Sequence, residues 1–333
     1  MNGYERTIAF VHGKKADHPP FMPLVIDWAA KQMGVDYRSF VDDPALRADT
    51  YLRVAERFDI DCILPDADFH EQLADFGMEL VFENGHYVGK PFIADLESDI
   101  KGLALPEMKP GTRMGNRLQA LKQVAAKAKG ERYIFGICVG PFTEFCNARG
   151  LEDAMMDLLD EEEFAKEYVQ LFFENGLRFI EAQLAAGADG IQIVEPCCSL
   201  IGIDLYRELV QPLHTRLVEA VQKDGGFARL HICGDTNRML PYTLGTGTRI
   251  LDVDHAVDMK AAAALLAPGQ VLCGNLDPAG VVLGGTAEEI TKAVLQVRGD
   301  TGERAIISGG CDIPEDTSAE NMQAFHDACE MPF

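Results

Sequence analysis

Basic residues are scarce in this chain: of 333 residues 30 are Lys or Arg against 53 Asp or Glu, a formal net charge of −23. Binding to nucleic acid or to an anionic membrane depends on Lys and Arg neutralising phosphate, so neither partner is expected. Long apolar runs are missing too. No stretch approaches the roughly 18 apolar residues of a membrane span, and residues 1–16 lack the apolar stretch of a secretory signal. A soluble, cytoplasmic protein is the expectation. Nine cysteines, an odd number, are scattered from Cys62 to Cys329. In a chain of this length with no secretory signal they do not read as a disulfide framework, which leaves burial, catalysis or metal binding.

What is present is a globular composition, 47% hydrophobic and 25% charged, with apolar runs that alternate with longer amphipathic stretches. Strand-like runs fall at 23–27, 61–65, 133–139, 190–195, 228–233, 249–253, 271–275 and 304–308. Their near-continuous apolar character suits parallel strands buried on both faces. Helical patterns lie at 44–58, 116–129, 162–186, 204–223, 236–244, 258–266, 286–297 and 318–329. Thr286 with Glu289, and Thr317 with Glu320, have the spacing of capping boxes. Gly187 marks a helix end that drops into a strand. Strands and helices alternating without a linker predict an α/β fold, a single (β/α)8 TIM-type barrel over residues 1–333. The rival is a doubly wound open sheet, but no Gly-rich fingerprint follows the first strand. Residues 66–115 break the pattern. A hairpin turning at Glu83-Asn84-Gly85 makes this segment an N-terminal excursion beside the barrel mouth.

Leu230-His231-Ile232-Cys233-Gly234-Asp235 closes the fifth expected strand. Side chains two apart on a strand point the same way, so His231 and Cys233 share one face. At the C-terminal end of a barrel strand that face can look into the mouth, where barrel active sites are built. Cys311 follows the eighth strand in Gly309-Gly310-Cys311-Asp312-Ile313-Pro314, on the same rim. A His-x-Cys pair alone is compatible with packing. With Cys311 it makes one imidazole and two thiolates, a zinc set with room for a fourth ligand. Zn²⁺ with two thiolates and a neutral imidazole is near zero charge. A substrate thiolate added to it gives a net negative centre whose sulfur keeps electron density for attack.

These stretches, with Gly187-Ala188-Asp189-Gly190-Ile191-Gln192, Gly274-Asn275-Leu276-Asp277-Pro278, Glu320-Asn321, and more weakly Gly140-Pro141-Phe142-Thr143 and Phe76-Gly77, resemble the uroporphyrinogen decarboxylase superfamily. Within it, the resemblance is to the branch of cobamide-dependent methyltransferases that includes the methylcobamide:coenzyme M methyltransferases. It implies a (β/α)8 barrel and a zinc site on His231, Cys233 and Cys311. It also implies methyl transfer between a cobamide (methylcobalamin) on a small corrinoid-binding partner protein and a small-molecule acceptor or donor, a thiol such as coenzyme M. The decarboxylases of the superfamily hold substrate carboxylates with arginines just after the first strand. Here that region reads Asp27-Trp28-Ala29-Ala30-Lys31-Gln32-Met33-Gly34, without an arginine. The chain also has no Asp-x-His-x-x-Gly motif to ligate a corrinoid itself.

Other rim residues carry two readings each. Glu195 is a fourth zinc ligand or a group orienting the substrate, or else a polar loop end beside Pro196; Cys197 and Cys198 read as packing. Asn275 and Asp277 face substrate or His231, or Asp277 makes a turn before Pro278. Asp27 lines the pocket or is simply solvated. Asp254 sets the tautomer of His231 from behind or lies in a loop with His255. His12, His18, His70 and His86 read as surface residues, and the stripe Leu171, Phe172, Ile180 and Leu184 as helix packing on the barrel.

Overall fold

A computed structural model describes residues 1–332. Seven strands pair, all in parallel, in the order β1 (Cys62–Ile63), β4 (Tyr133–Val139), β5 (Gly190–Val194), β6 (Phe227–Ile232), β7 (Ile250–Val253), β8 (Val271–Leu276) and β9 (Ala305–Gly309). All seven are buried along their whole length, as the apolar runs require of strands covered on both faces. Alternation then sorts the side chains. Ile137 and Val139 of β4 pack inside the barrel with Val194, Phe227, Ile250 and Cys273, while Ile134 and Cys138 pack outward with the helical layer. Phe172 and Ile180 of the helix Glu162–Ala185 are buried as expected.

The first expected strand, 23–27, is not one. Phe21 carries a single parallel bridge to Ile307 of β9. Met22 N–H donates to Ile307 O at 2.9 Å, and Asp61 N–H, just before β1, donates to Phe21 O at 3.0 Å. Residues 20–22 therefore close the ring as its eighth stave. Proline explains the shortness: positions 19, 20 and 23 have no N–H to give a ladder, and from Asp27 the chain is already helical (Asp27–Gln32).

Local signals are mostly kept. Thr286 and Glu289 form the reciprocal capping box. At the last helix, Ala319–Glu330, the cap is Ser318, not Thr317, and it accepts from Asn321 N–H rather than pairing with Glu320. Gly187 takes φ +115°, which lets the chain turn straight from helix into β5. The expected helix 236–244 shrinks to Leu240–Leu244. The excursion contains the hairpin β2 (Leu80–Glu83) and β3 (His86–Gly89), whose turn puts Asn84 and Gly85 at positive φ, the geometry that Asn-Gly favours. The hairpin leans on the mouth: Tyr87 OH donates to Asp42 at 2.8 Å, and His86 lies 3.4 Å from Asp27. Among the described residues no helix is long and apolar enough to cross a membrane.

Candidate metal site at the barrel mouth

The rim assembles the three residues that the motif named. His231 is the penultimate residue of β6, 4% exposed; Cys233 lies just beyond the strand, and Gly234 turns the chain away at φ +81°. Cys311 arrives from β9, across the mouth. Gly310 lets it do so, because a Cβ there would sit 2.3 Å from the backbone nitrogen of His255. The ligand atoms of His231, Cys233 and Cys311 all lie within 4.8 Å of one another. His231 Nε2 is 3.1 Å from Cys233 Sγ. Ligands on a tetrahedron with zinc bonds of about 2.0–2.3 Å stand about 3.5–3.8 Å apart, so the donor set suits zinc in its chemistry, and the three atoms lie close enough to close on one ion with small side-chain shifts.

Proton sharing shows how closely the three are coupled. Hydrogen bonds from Cys233 and then His231 outweigh burial and bring the Cys311 thiol down to about 4, while Cys233, the donor, is pushed up. Burial opposes charge on His231, but Asp252 and the Cys311 thiolate outweigh it and raise its pKa.

Asp252 is the residue that sequence reasoning missed. The β6–β7 register sets it directly beside His231. Its Oδ2 is 3.5 Å from His231 Nδ1, accepts from Arg229 Nε at 3.0 Å and from Gln192 Nε2 at 3.2 Å, and lies 2.9 Å from Arg229 Nη2. His231 Nδ1 has no hydrogen bond, so the nitrogen facing Asp252 stays behind the ring and Nε2 faces the thiols. An Arg on one buried strand and an Asp on the next was the available signal, since charge in such runs needs a partner. Asp254, the expected tautomer-setting carboxylate, instead accepts from Ala256 N–H at 3.1 Å and lies 2.9 Å from His255.

Glu195 does not join the three. It is fully buried, accepts from Thr143 N–H at 2.5 Å, and meets His214 Nε2 at 2.9 Å. It forms a second close group with Cys198 and His214, and Tyr206 OH contacts the other nitrogen of His214 at 3.1 Å. The reason is alternation: Val194 faces the barrel interior, so Glu195 faces the outer helices, where His214 waits in the helix Gln211–Gln222. Gly140 makes room, since a Cβ there would fall 1.9 Å from Glu195 Oε2.

Asn275 is buried and holds the loop after β7 through Asp254 O at 3.1 Å and Val257 O at 2.9 Å. Asp277 makes the turn, accepting from the N–H groups of Ala279 and Gly280. Asp27 is half-buried at the mouth, its carboxyl raised by burial. Cys198 is core, whereas Cys197 is half-buried and shares a hydrogen bond with Cys146. His12 and His86 are exposed, but His18 and His70 are half-buried, His70 within 3.5 Å of Asp68.

A family profile described as Uroporphyrinogen decarboxylase (URO-D) matches residues 2–331. The chain belongs to the uroporphyrinogen decarboxylase family. Among its relatives, methylcobamide:CoM methyltransferase MtbA of Methanosarcina acetivorans is 32% identical over 232 residues, covering 69% of this chain and 66% of that protein. The matched stretch thus spans just under two thirds of that relative. The uroporphyrinogen decarboxylase of Rhodococcus erythropolis is 27% identical over 273 residues, covering 80% of this chain and 75% of that one. In fold, a methyltransferase from Methanosarcina mazei superposes with a TM-score of 0.89 at 20% identity, covering 99% of this chain and 98% of the other. That protein therefore shares the fold over nearly the whole chain.

Proposed function

We propose that this URO-D family protein is a zinc-dependent methyltransferase that moves a methyl group between a cobamide on a small corrinoid-binding partner protein and a thiol substrate. The observation that carries the reading is the convergence of His231, Cys233 and Cys311 within 4.8 Å at the mouth. The name of the Methanosarcina acetivorans relative supports it. Coenzyme M is the acceptor in that name and the first to test.

When bound, zinc supplies a Lewis acid that keeps a substrate thiol deprotonated at neutral pH without draining its sulfur of electron density. His231 offers Nε2 because Asp252 stands behind Nδ1. Cys233 and Cys311, which share a proton in the metal-free protein, bind as thiolates, so loading the site releases that proton. The buried Arg229–Asp252 pair fixes the imidazole from inside the barrel. The Glu195 carboxylate is taken up by Thr143 N–H and His214, while the Glu195 backbone N–H donates to His231 O at 2.9 Å.

The second reading, metal-free decarboxylation, has a relative so named. It lacks the arginine clamp: in the helix Asp27–Gln32 the one cation is Lys31, exposed and paired with Asp316. Metal content of anaerobically purified protein decides between the two. About one zinc per chain, lost in Cys233→Ser and in Cys311→Ser, is expected. Folded, reduced, zinc-free protein that decarboxylates a porphyrinogen would sink the methyltransferase reading.

A further inference from the structure

The two sulfurs of the metal set come from strands that do not pair. β6 leads into Cys233 and β9 into Cys311, with β7 and β8 between them. At the rim the two arms meet on one piece of backbone, the turn 254–258 that follows β7. The turn closes on itself: Val257 N–H donates to Asp254 O at 3.0 Å, and Ala256 N–H to the Asp254 carboxylate at 3.1 Å.

An asparagine clasps this turn from each side. On the β6 side stands Asn237, four residues past Cys233. Its Nδ2 donates to Ala256 O at 3.1 Å, and its Oδ1 accepts from Asp258 N–H at 3.0 Å. The same Nδ2 also donates to the Asp235 carboxylate at 2.7 Å, which ties Asn237 back to its own arm. On the other side stands Asn275, buried near the end of β8. Its Nδ2 donates to Asp254 O at 3.1 Å and to Val257 O at 2.9 Å, the two ends of the turn. Gly310 lies flat against the same turn, since a Cβ there would fall 2.3 Å from His255 N and 3.0 Å from the Asp254 carbonyl carbon. Its N–H donates to O of Leu276, next to Asn275, at 2.8 Å. Cys311 is the residue that follows. A neutral amide suits both places, because it serves carbonyls and N–H groups alike and adds no charge beside the thiols.

We propose that the turn 254–258 sets the spacing of the metal site, with Asn237 and Asn275 as positioning residues that hold the Cys233 and Cys311 arms at the separation one zinc ion requires. This rests on the zinc reading above and names the groups outside the ligand set on which that site depends.

The full chain, purified anaerobically, is compared with Asn237→Ala, Asn275→Ala and Asn321→Ala. Asn321 is the structural control. Its Nδ2 clasps the carbonyls of Val282, Leu283 and Gly285 at 2.9, 3.3 and 3.0 Å, on a turn after β8 that carries no ligand. By chelator competition, zinc affinity is expected to fall about tenfold or more in Asn275→Ala and about threefold in the more exposed Asn237→Ala. The thiolate-to-metal absorption of the Co(II)-loaded chain should weaken in both, while Asn321→Ala keeps the parent's affinity and spectrum. Metal-free chains are also offered phenylarsine oxide, whose arsenic bonds to two neighbouring thiols with loss of water. The capture that Cys311→Ser abolishes is expected to weaken in Asn237→Ala and Asn275→Ala.

Zinc affinity and arsenical capture unmoved in folded Asn237→Ala and Asn275→Ala overturn the proposal, as does an equal loss in Asn321→Ala. Should Asn275→Ala fail to fold, Asn237→Ala decides alone. The two readings fail separately. Zinc bound alike by the parent and both variants removes the positioning role and leaves the metal site. Asparagine-dependent capture of the arsenical by a chain that holds no zinc does the reverse.

Discussion

Replacing Asp252 by Asn removes one charge and almost no volume, so its consequences can be traced through the contacts of a single oxygen. Oδ2 of Asp252 serves Arg229, Gln192 and His231 at once. Two losses follow. Arg229 is 2% exposed and would lose its counter-charge; breaking one side of a buried ion pair typically costs about 3–5 kcal/mol, here nearer 3 because the amide oxygen still accepts a hydrogen bond. His231 would lose the carboxylate behind Nδ1, and removing such a partner typically weakens a metal site about 10- to 100-fold, or about 1.4–2.7 kcal/mol. Asp254→Asn is the internal comparison, because that carboxylate serves Ala256 and His255. Competition with a chromogenic chelator measures zinc affinity, and thermal unfolding of the metal-free proteins measures the first loss separately. Asp252→Asn should lower both quantities, and Asp254→Asn should leave zinc affinity within about threefold. If Asp254→Asn weakens zinc and Asp252→Asn does not, the assignment of the orienting carboxylate is wrong.

Further outcomes follow from other sites. Gly140→Ala should destabilise the fold by about 2–4 kcal/mol in denaturant melts, because its Cβ would overlap a carboxylate held by Thr143 and His214; an unchanged midpoint would mean that Glu195 is not pinned. Glu144→Gln should be more stable than the parent at neutral pH. Glu144 is buried without a hydrogen-bond partner for its carboxyl, and burial raises its folded-state pKa, so its contribution is fully present below about pH 4.3 and is lost as pH rises toward the folded value. The variant's advantage should therefore be flat below about pH 4 and grow by up to about 1.4 kcal/mol per pH unit above it. Urea titrations at a series of pH values check this, and a flat difference across pH 4–8 would refute it. Loading zinc into the metal-free chain should release protons in pH-stat titration, and fewer in Cys233→Ser.

Much of this protein was legible in its residues. Seven of the eight staves and the Thr286 capping box follow from runs and spacings that act locally, because a parallel strand buried on both faces has to be apolar throughout and a helix start has to satisfy its own amides. The clustering of His231 and Cys233 with Cys311 was legible because period-two alternation puts the first two on one face, and a barrel brings every strand end to one rim. The first stave slipped because three prolines cut its ladder to one bridge. Which carboxylate stands behind His231 was a matter of register between β6 and β7, which moves Asp252 into place and Asp254 out of it. That Glu195 turns to His214 instead of the mouth depended on which face residue 195 takes as its strand ends. That Glu144 is left without a partner depended on what surrounds it in three dimensions. Residue types and local periods belong to the sequence; pairing, facing and counter-charge belong to the tertiary structure, because they depend on neighbours that are distant along the chain.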